Sequence, residues 1–211
     1  MLRVLLAALI CLSAIRPTIA RDRNEPILFA NGCAGNPFQG TPLVKNWTMT
    51  GGSAFQATIA TSKAFSPACS KTAAVLTEDT TASATHEVDF HHTGLTLSGS
   101  HTFTVMAKRG TGARDLALSI YSQPSGNRAA FNLLFPGCQI WNRFATGTVV
   151  LISATAELVA GGFCNVVVRF TPNAIDTQIQ TVYDIAPQGA NTVTYTGDGH
   201  SSIILWGENI Q

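Results

Sequence analysis

TGDGHSSIILWGENIQ, residues 196–211, ends the chain and sets how the rest is read. Thr196-Gly197-Asp198-Gly199 is a turn signal, because glycine accepts positive φ and an Asp side chain can bond its own backbone. Ser202-Ile203-Ile204-Leu205-Trp206 then reads as a closing β-strand. Ile203 and Leu205 share one parity, and Ile204 and Trp206 the other, so both faces of this strand are apolar. Such a strand is buried on both sides, or against a partner as well as the core.

Working back from that strand, the same grammar recurs about every ten residues. Residues 101–108 give the clearest case, with Phe103, Val105 and Ala107 facing one way and Thr102, Thr104 and Met106 the other. Leu116, Leu118 and Ile120 repeat the pattern and leave Ala117, Ser119 and Tyr121 on the opposite face. Further strands are expected over residues 54–61, 71–78, 85–91, 129–135, 139–144, 148–153, 163–171, 178–183 and 192–195. In the first of these, Phe55, Ala57 and Ile59 would share a face. No segment makes a convincing amphipathic helix of three turns. Short strands separated by Gly, Pro and Asn turns are the pattern of an all-β sandwich or barrel.

The chain has 211 residues, enough for one well-packed domain and short for two. Hydrophobic residues make up 45% and charged residues 12%, a mixture too apolar for a disordered chain. Residues 1–20 read as a secretory signal peptide: Arg3 precedes an apolar run over residues 4–15, and Thr18-Ile19-Ala20 offers small residues before a cut after Ala20. That run is too short to span a bilayer comfortably, so no transmembrane segment is expected in the mature chain, residues 21–211. The alternative is an uncleaved arm that packs in an assembly. Removal of the leader takes away Arg3 and Arg16, leaving 11 basic and 12 acidic residues. No basic stripe remains to hold nucleic acid or anionic lipid.

Cleavage also removes Cys11 and leaves Cys33, Cys69, Cys138 and Cys164. An even count behind an export signal argues for two disulfides in an oxidising compartment. Of the three connectivities, Cys33–Cys69 with Cys138–Cys164 is favoured, since each pair falls within one half of the chain. No CxxC or CxxH spacing is present, and no zinc site is expected.

Several stretches resemble a known family. The ending is similar to one in domains of bacteriophage tail and fibre proteins, where a turn like TGDGTSG runs into a strand like IYIWGAQLE. LTEDTTASATHEVDFHHTGLTLSGSHTFTVMAKRG, residues 76–110, resembles the family's passage from a "VEDT…TH" segment to a "YTFSVYVKAG" strand. Residues 146–171 are similar to "ATGTVV…ATIEDVGNGWYRCSVTFT", and Trp47 stands where these domains have an early tryptophan. Here the family's Gly-Trp-Tyr-Arg is replaced by Gly162-Phe163-Cys164-Asn165. The resemblance implies a single antiparallel jelly-roll β-sandwich related to carbohydrate-binding modules and concanavalin-like lectins, with the last strand beside the N-terminal one. It implies no catalytic residues and no cofactor.

Candidate sites follow from that setting. Sugar-binding jelly rolls stack one face of an aromatic ring on a pyranose, flanked by polar side chains. The polar faces of the expected strands offer Trp141, Tyr121, Asn132 and Arg169, with Trp141 foremost because Asn142 and Arg143 adjoin it. Trp47 and Trp206 read as core. His86, His91 and His92 cluster with Glu87 and Asp89, and are expected to form a solvated strand end rather than a metal site. Glu87, Asp89, Glu157, Asp184, Asp198 and Glu208 lie in no glycosidase motif, and no Gly-x-Ser-x-Gly elbow accompanies the serines. The expected function is a non-catalytic exported module, secreted or periplasmic, that binds surface carbohydrate. The alternative is a structural component of a phage tail-like particle or virion, whose partners are other protein subunits.

Overall fold

The computed structural model describes residues 53–67 and 71–211. The leader, Trp47 and the expected Cys33–Cys69 bridge lie outside the described residues. Within them run twelve strands: β1 (Ser53–Phe55), β2 (Ala57–Ala64), β3 (Ala73–Glu78), β4 (Glu87–Thr93), β5 (His101–Arg109), β6 (Arg114–Gln123), β7 (Asn127–Leu134), β8 (Gln139–Ala145), β9 (Val150–Leu158), β10 (Cys164–Thr171), β11 (Gln178–Pro187) and β12 (Ser202–Ile210). The helical content described is one 3₁₀ turn, Ala160–Gly162.

The strands form two six-stranded antiparallel sheets, a front sheet in the order β1-β4-β11-β6-β7-β8 and a back sheet in the order β2-β3-β12-β5-β10-β9. From β3 to β6 the chain alternates between sheets, and it does so again from β10 to β12, which is the winding of a jelly-roll sandwich. Strands β8 and β9 extend the two sheets along one side, and β1 and β2 along the other.

Period-2 alternation builds the core. Leu116, Leu118 and Ile120 of β6 and Phe131 and Leu133 of β7 pack against Phe103, Val105 and Ala107 of β5 and Val166, Val168 and Phe170 of β10. The last strand is buried on both faces, as its apolar parities require. Ile203 and Leu205 join the main core, while Trp206 packs on the outer side with Ala73, Met106 and Phe163. The Trp206 indole donates to Thr72 Oγ1 at 3.0 Å. Among the described strands β12 pairs with β3 and β5, and β2 lies beyond β3, so the closing strand occupies the interior of the back sheet.

Two expectations about strands need correction. Residues 54–61 are not one alternating strand: Gln56 takes φ 47° and splits them into β1 of the front sheet and β2 of the back sheet. Residues 192–195 form no strand and contribute one bridge, Ala84 to Tyr195.

The turn at residues 196–199 is held by a buried polar cluster. Glu78 accepts from Arg114 Nε at 2.8 Å and Nη2 at 2.6 Å, from the Tyr195 hydroxyl at 2.5 Å, and from the Asp198 backbone N–H at 2.7 Å. Asp198 in turn accepts from the backbone N–H groups of His200 (2.9 Å) and Ser201 (2.6 Å) and from Ser201 Oγ (2.6 Å). Burial would raise the Asp198 carboxyl, but these bonds outweigh it and hold the group below the usual carboxylate range. A Cβ on Gly197 would lie 2.0 Å from the Asp79 carbonyl oxygen, so glycine is needed for this close approach. The LTED and TGDG stretches therefore meet as one structural clasp whose hydrogen bonds are internally satisfied.

Cys138, between β7 and β8, is disulfide-bonded to Cys164 at the start of β10, with Cα atoms 5.3 Å apart. The bridge crosses from the front sheet to the back sheet inside the core.

Candidate functional site

The front sheet's outer face carries the second parity of its strands: Ala117, Ser119 and Tyr121 from β6, Arg128, Ala130 and Asn132 from β7, and Val182 and Asp184 from β11. Across from β7, β8 places Trp141 opposite Asn132 and Phe144 opposite Ala130. Between those pairs Asn142 and Arg143 both oppose Phe131, a bulge in which Asn142 takes φ 49°. Outward-facing residues at the middle of a sheet are normally wet, yet Ser119 is only 7% exposed and Asp184 6%. Small residues flanked by long ones make a depression here. Its volume is about 130 Å³, and its lining includes Ala117, Ser119, Arg128, Ala130, Asn132, Asn142, Phe144, Asp184, Asn191 and Val193.

The walls are fixed. The segment after β11 folds back on the face, where Asn132 Nδ2 donates to the Ala190 carbonyl at 3.1 Å and the Gly189 N–H donates to Asp115 Oδ2 at 2.9 Å. At the opposite end the Arg128 guanidinium lies 5.2 Å from the Tyr121 ring centroid and 5.1 Å from that of Phe144, and it donates to the Tyr121 hydroxyl. Cation–π contact with two rings holds the guanidinium in place. Beyond it, Gln123 Nε2 donates to Gln180 Oε1 at 2.8 Å and Gln180 Nε2 donates to Asp89 Oδ2 at 3.0 Å, a polar ladder across three strands.

Asp184 dominates the electrostatics. Its register partner on β4 is Glu87. Burial, and then the hydrogen-bonded Glu87 carboxyl, push Asp184 up to about 8 against the pull of Arg128. Asp184 Oδ1 is buried with no donor in reach among the described residues. A proton shared between the two carboxyls resolves both observations. At pH 7 Asp184 then keeps its proton, and the pocket presents a neutral carboxyl beside one cation.

The structure brings together three of the four residues singled out from sequence. Tyr121, Asn132 and Trp141 share the outer face of the front sheet. Asn132 lines the pocket, Tyr121 fixes Arg128 at its end, and Trp141 stands alongside Asn132 without entering the lining. The indole N–H of Trp141 is buried without an acceptor among the described residues. Arg169 lies in the back sheet, exposed on β10, with the sandwich between it and the other three. Reading the sequence missed Ser119, Arg128, Phe144, Asn191 and the location of Asp184. The alternation of β6 already assigned Ser119 to Tyr121's face, but residues 188–191 offered no periodic signal.

The histidines diverge. His86 is buried, not solvated, donating from Nδ1 to the Gln56 carbonyl at 2.6 Å beneath Tyr195. His91 Nε2 lies 3.0 Å from Asp89, and His92 Nε2 is 3.0 Å from Glu208 and 3.1 Å from Thr181 Oγ1. Thr181 and Glu208 meet the same imidazole nitrogen, so this trio lacks the relay of a nucleophile–His–carboxylate triad, which uses both ring nitrogens. Among the described residues no three His, Cys, Asp or Glu side chains are grouped to hold a metal ion. No described helix is long and apolar enough to cross a membrane. Compared with known proteins, the chain matches no protein-family model and no curated protein.

Proposed function

We propose that this chain is a non-catalytic, exported binding module for surface carbohydrate, with the outer face of the front sheet as its binding face. The observation that carries this reading is the Asp184 pocket. It combines an aromatic wall (Phe144), a fixed cation (Arg128), two amides (Asn132 and Asn142), a hydroxyl (Ser119) and a neutral carboxyl over a small-residue floor. That is the mixture of one apolar ring and several short polar groups that suits a polyol. The cross-sheet Cys138–Cys164 bridge supports export to an oxidising compartment. A glycan array with the native protein tests the reading. Ser119→Trp, which fills the pocket, is expected to abolish binding while circular dichroism stays unchanged. Glycan binding that survives this variant with undiminished signal would place the site elsewhere.

A second reading, a structural module of a phage tail-like particle, draws on a different surface. Phe144, Val150 and Ile152 are 38%, 55% and 49% exposed. They line an open groove of about 400 Å³ between β8 and β9, the edge strands of the two sheets among the described residues. Free edges with exposed apolar side chains are suited to subunit contacts. The resemblance of residues 76–110 and 196–211 to phage tail and fibre domains supports the same reading. Self-association that is lost in Ile152→Lys, without glycan binding, would favour it.

A further inference from the structure

We infer that the Asp184 pocket takes one terminal sugar ring, entered end-on, and that glycan chains do not lie along the sheet face. This inference rests on the carbohydrate reading above and narrows it to a class of ligand.

Size is the first argument. A pocket of about 130 Å³ has the volume of about four waters at their liquid share of roughly 30 Å³ each. That leaves room for one sugar ring at most and none for a second.

Closure is the second. A chain bound along a sheet needs a trough open at both ends. Here the 189–193 segment is hydrogen-bonded down onto Asn132 and Asp115 at one end, and Arg128, stacked against Tyr121 and Phe144, fills the other. Both walls are built from anchored groups, so neither opens without breaking hydrogen bonds or ring contacts.

Hydrogen-bonding capacity is the third. Outside the pocket, Asp89, Gln180 and Gln123 are spent on each other in the ladder, and the Tyr121 hydroxyl is spent on Arg128. Inside it, the side chains of Ser119, Asn142 and Asn191 make no hydrogen bond among the described residues. A ligand gains new bonds to these free side chains inside, whereas on the ladder it must displace bonds already made. The face therefore rewards one ring and offers little to the next.

The test is an array on which the same terminal sugars are printed on chains of one to six rings, read with the native chain and two variants. We expect signal to follow the terminal ring and to change less than about threefold with chain length. The methyl glycoside of that ring should compete, at about millimolar concentration, as befits so few contacts. Asn191→Ala, at an exposed position, should weaken binding about fivefold or more, and Gln180→Ala, in the ladder, by less than about twofold. Signal that rises more than about tenfold with chain length, or is lost in Gln180→Ala, would show a chain lying on the face; that overturns this inference and leaves the carbohydrate reading standing. An absence of signal from every printed glycan, with native circular dichroism, overturns the carbohydrate reading and this inference with it.

Discussion

Replacing Asp184 by Asn should stabilise the protein at alkaline pH, although it removes a native side chain from a buried site. Asp184 is held up to about 8 by burial and by Glu87, against 3.8 for the free group. Between those values the folded state keeps a proton that the unfolded state has lost. Stability from this site is therefore fully present below about pH 4 and is lost as pH rises towards 8. Four units at about 1.4 kcal/mol each set an upper bound of about 6 kcal/mol. Arg128 and water entering the pocket offset part of this, and about 2–3 kcal/mol is the expected loss between pH 5 and pH 9. An amide has the shape of the neutral acid, does not titrate, and can donate to Glu87. Urea denaturation of both proteins at pH 5, 7 and 9 and fixed ionic strength measures the effect. Wild type should fall by about 2–3 kcal/mol relative to Asp184→Asn, and the variant should be the more stable protein at pH 9. Titrating groups other than Glu87, which is coupled to Asp184, are common to both and cancel. Parallel pH profiles, or a variant less stable than wild type at pH 9, would refute the shared proton.

Three further outcomes follow from the fold. Glu78→Ala leaves Arg114 without its buried partner and frees the Tyr195 hydroxyl and Asp198 N–H, so it should cost about 3–5 kcal/mol in chemical denaturation. Removing the Cys138–Cys164 bridge, whose cysteines are 26 residues apart, should cost on the order of 3 kcal/mol, read as a lower midpoint for Cys138→Ala/Cys164→Ala. Deleting residues 202–211 takes β12 from between β3 and β5 and should give an unfolded or aggregating chain by circular dichroism and size-exclusion chromatography. A soluble, cooperatively folding truncation would mean that the back sheet closes without it.

Fold class was legible because period 2 is a local signal. Leu116, Leu118 and Ile120 had to face one way, and Phe103, Val105 and Ala107 did the same on β5, whatever the strands paired with. Where the local signal failed, a backbone angle or a distant partner was responsible. Gln56 looks like any strand residue, yet its positive φ passes the chain from one sheet to the other. Thr192 to Tyr195 has strand-like residues, but Tyr195 is committed to Glu78, Ala84 and His86 rather than to a ladder.

By itself, then, the sequence determined an all-β chain with a doubly apolar last strand, a glycine-dependent turn before it, and a cysteine pair within reach of each other. Those features depend on residue type and short spacing. The site was decided only by tertiary structure. Ser119, Arg128, Asn142, Asp184 and Asn191 come from four strands and a loop spread over 73 positions of chain, from 119 to 191. Strand order placed β11 beside β6 and so set Asp184 next to Ala117, while β4 on its other side supplied Glu87. Two acidic residues 97 positions apart carry no sign in sequence that they will meet. Sheet register made them neighbours, and burial together with that contact raised Asp184.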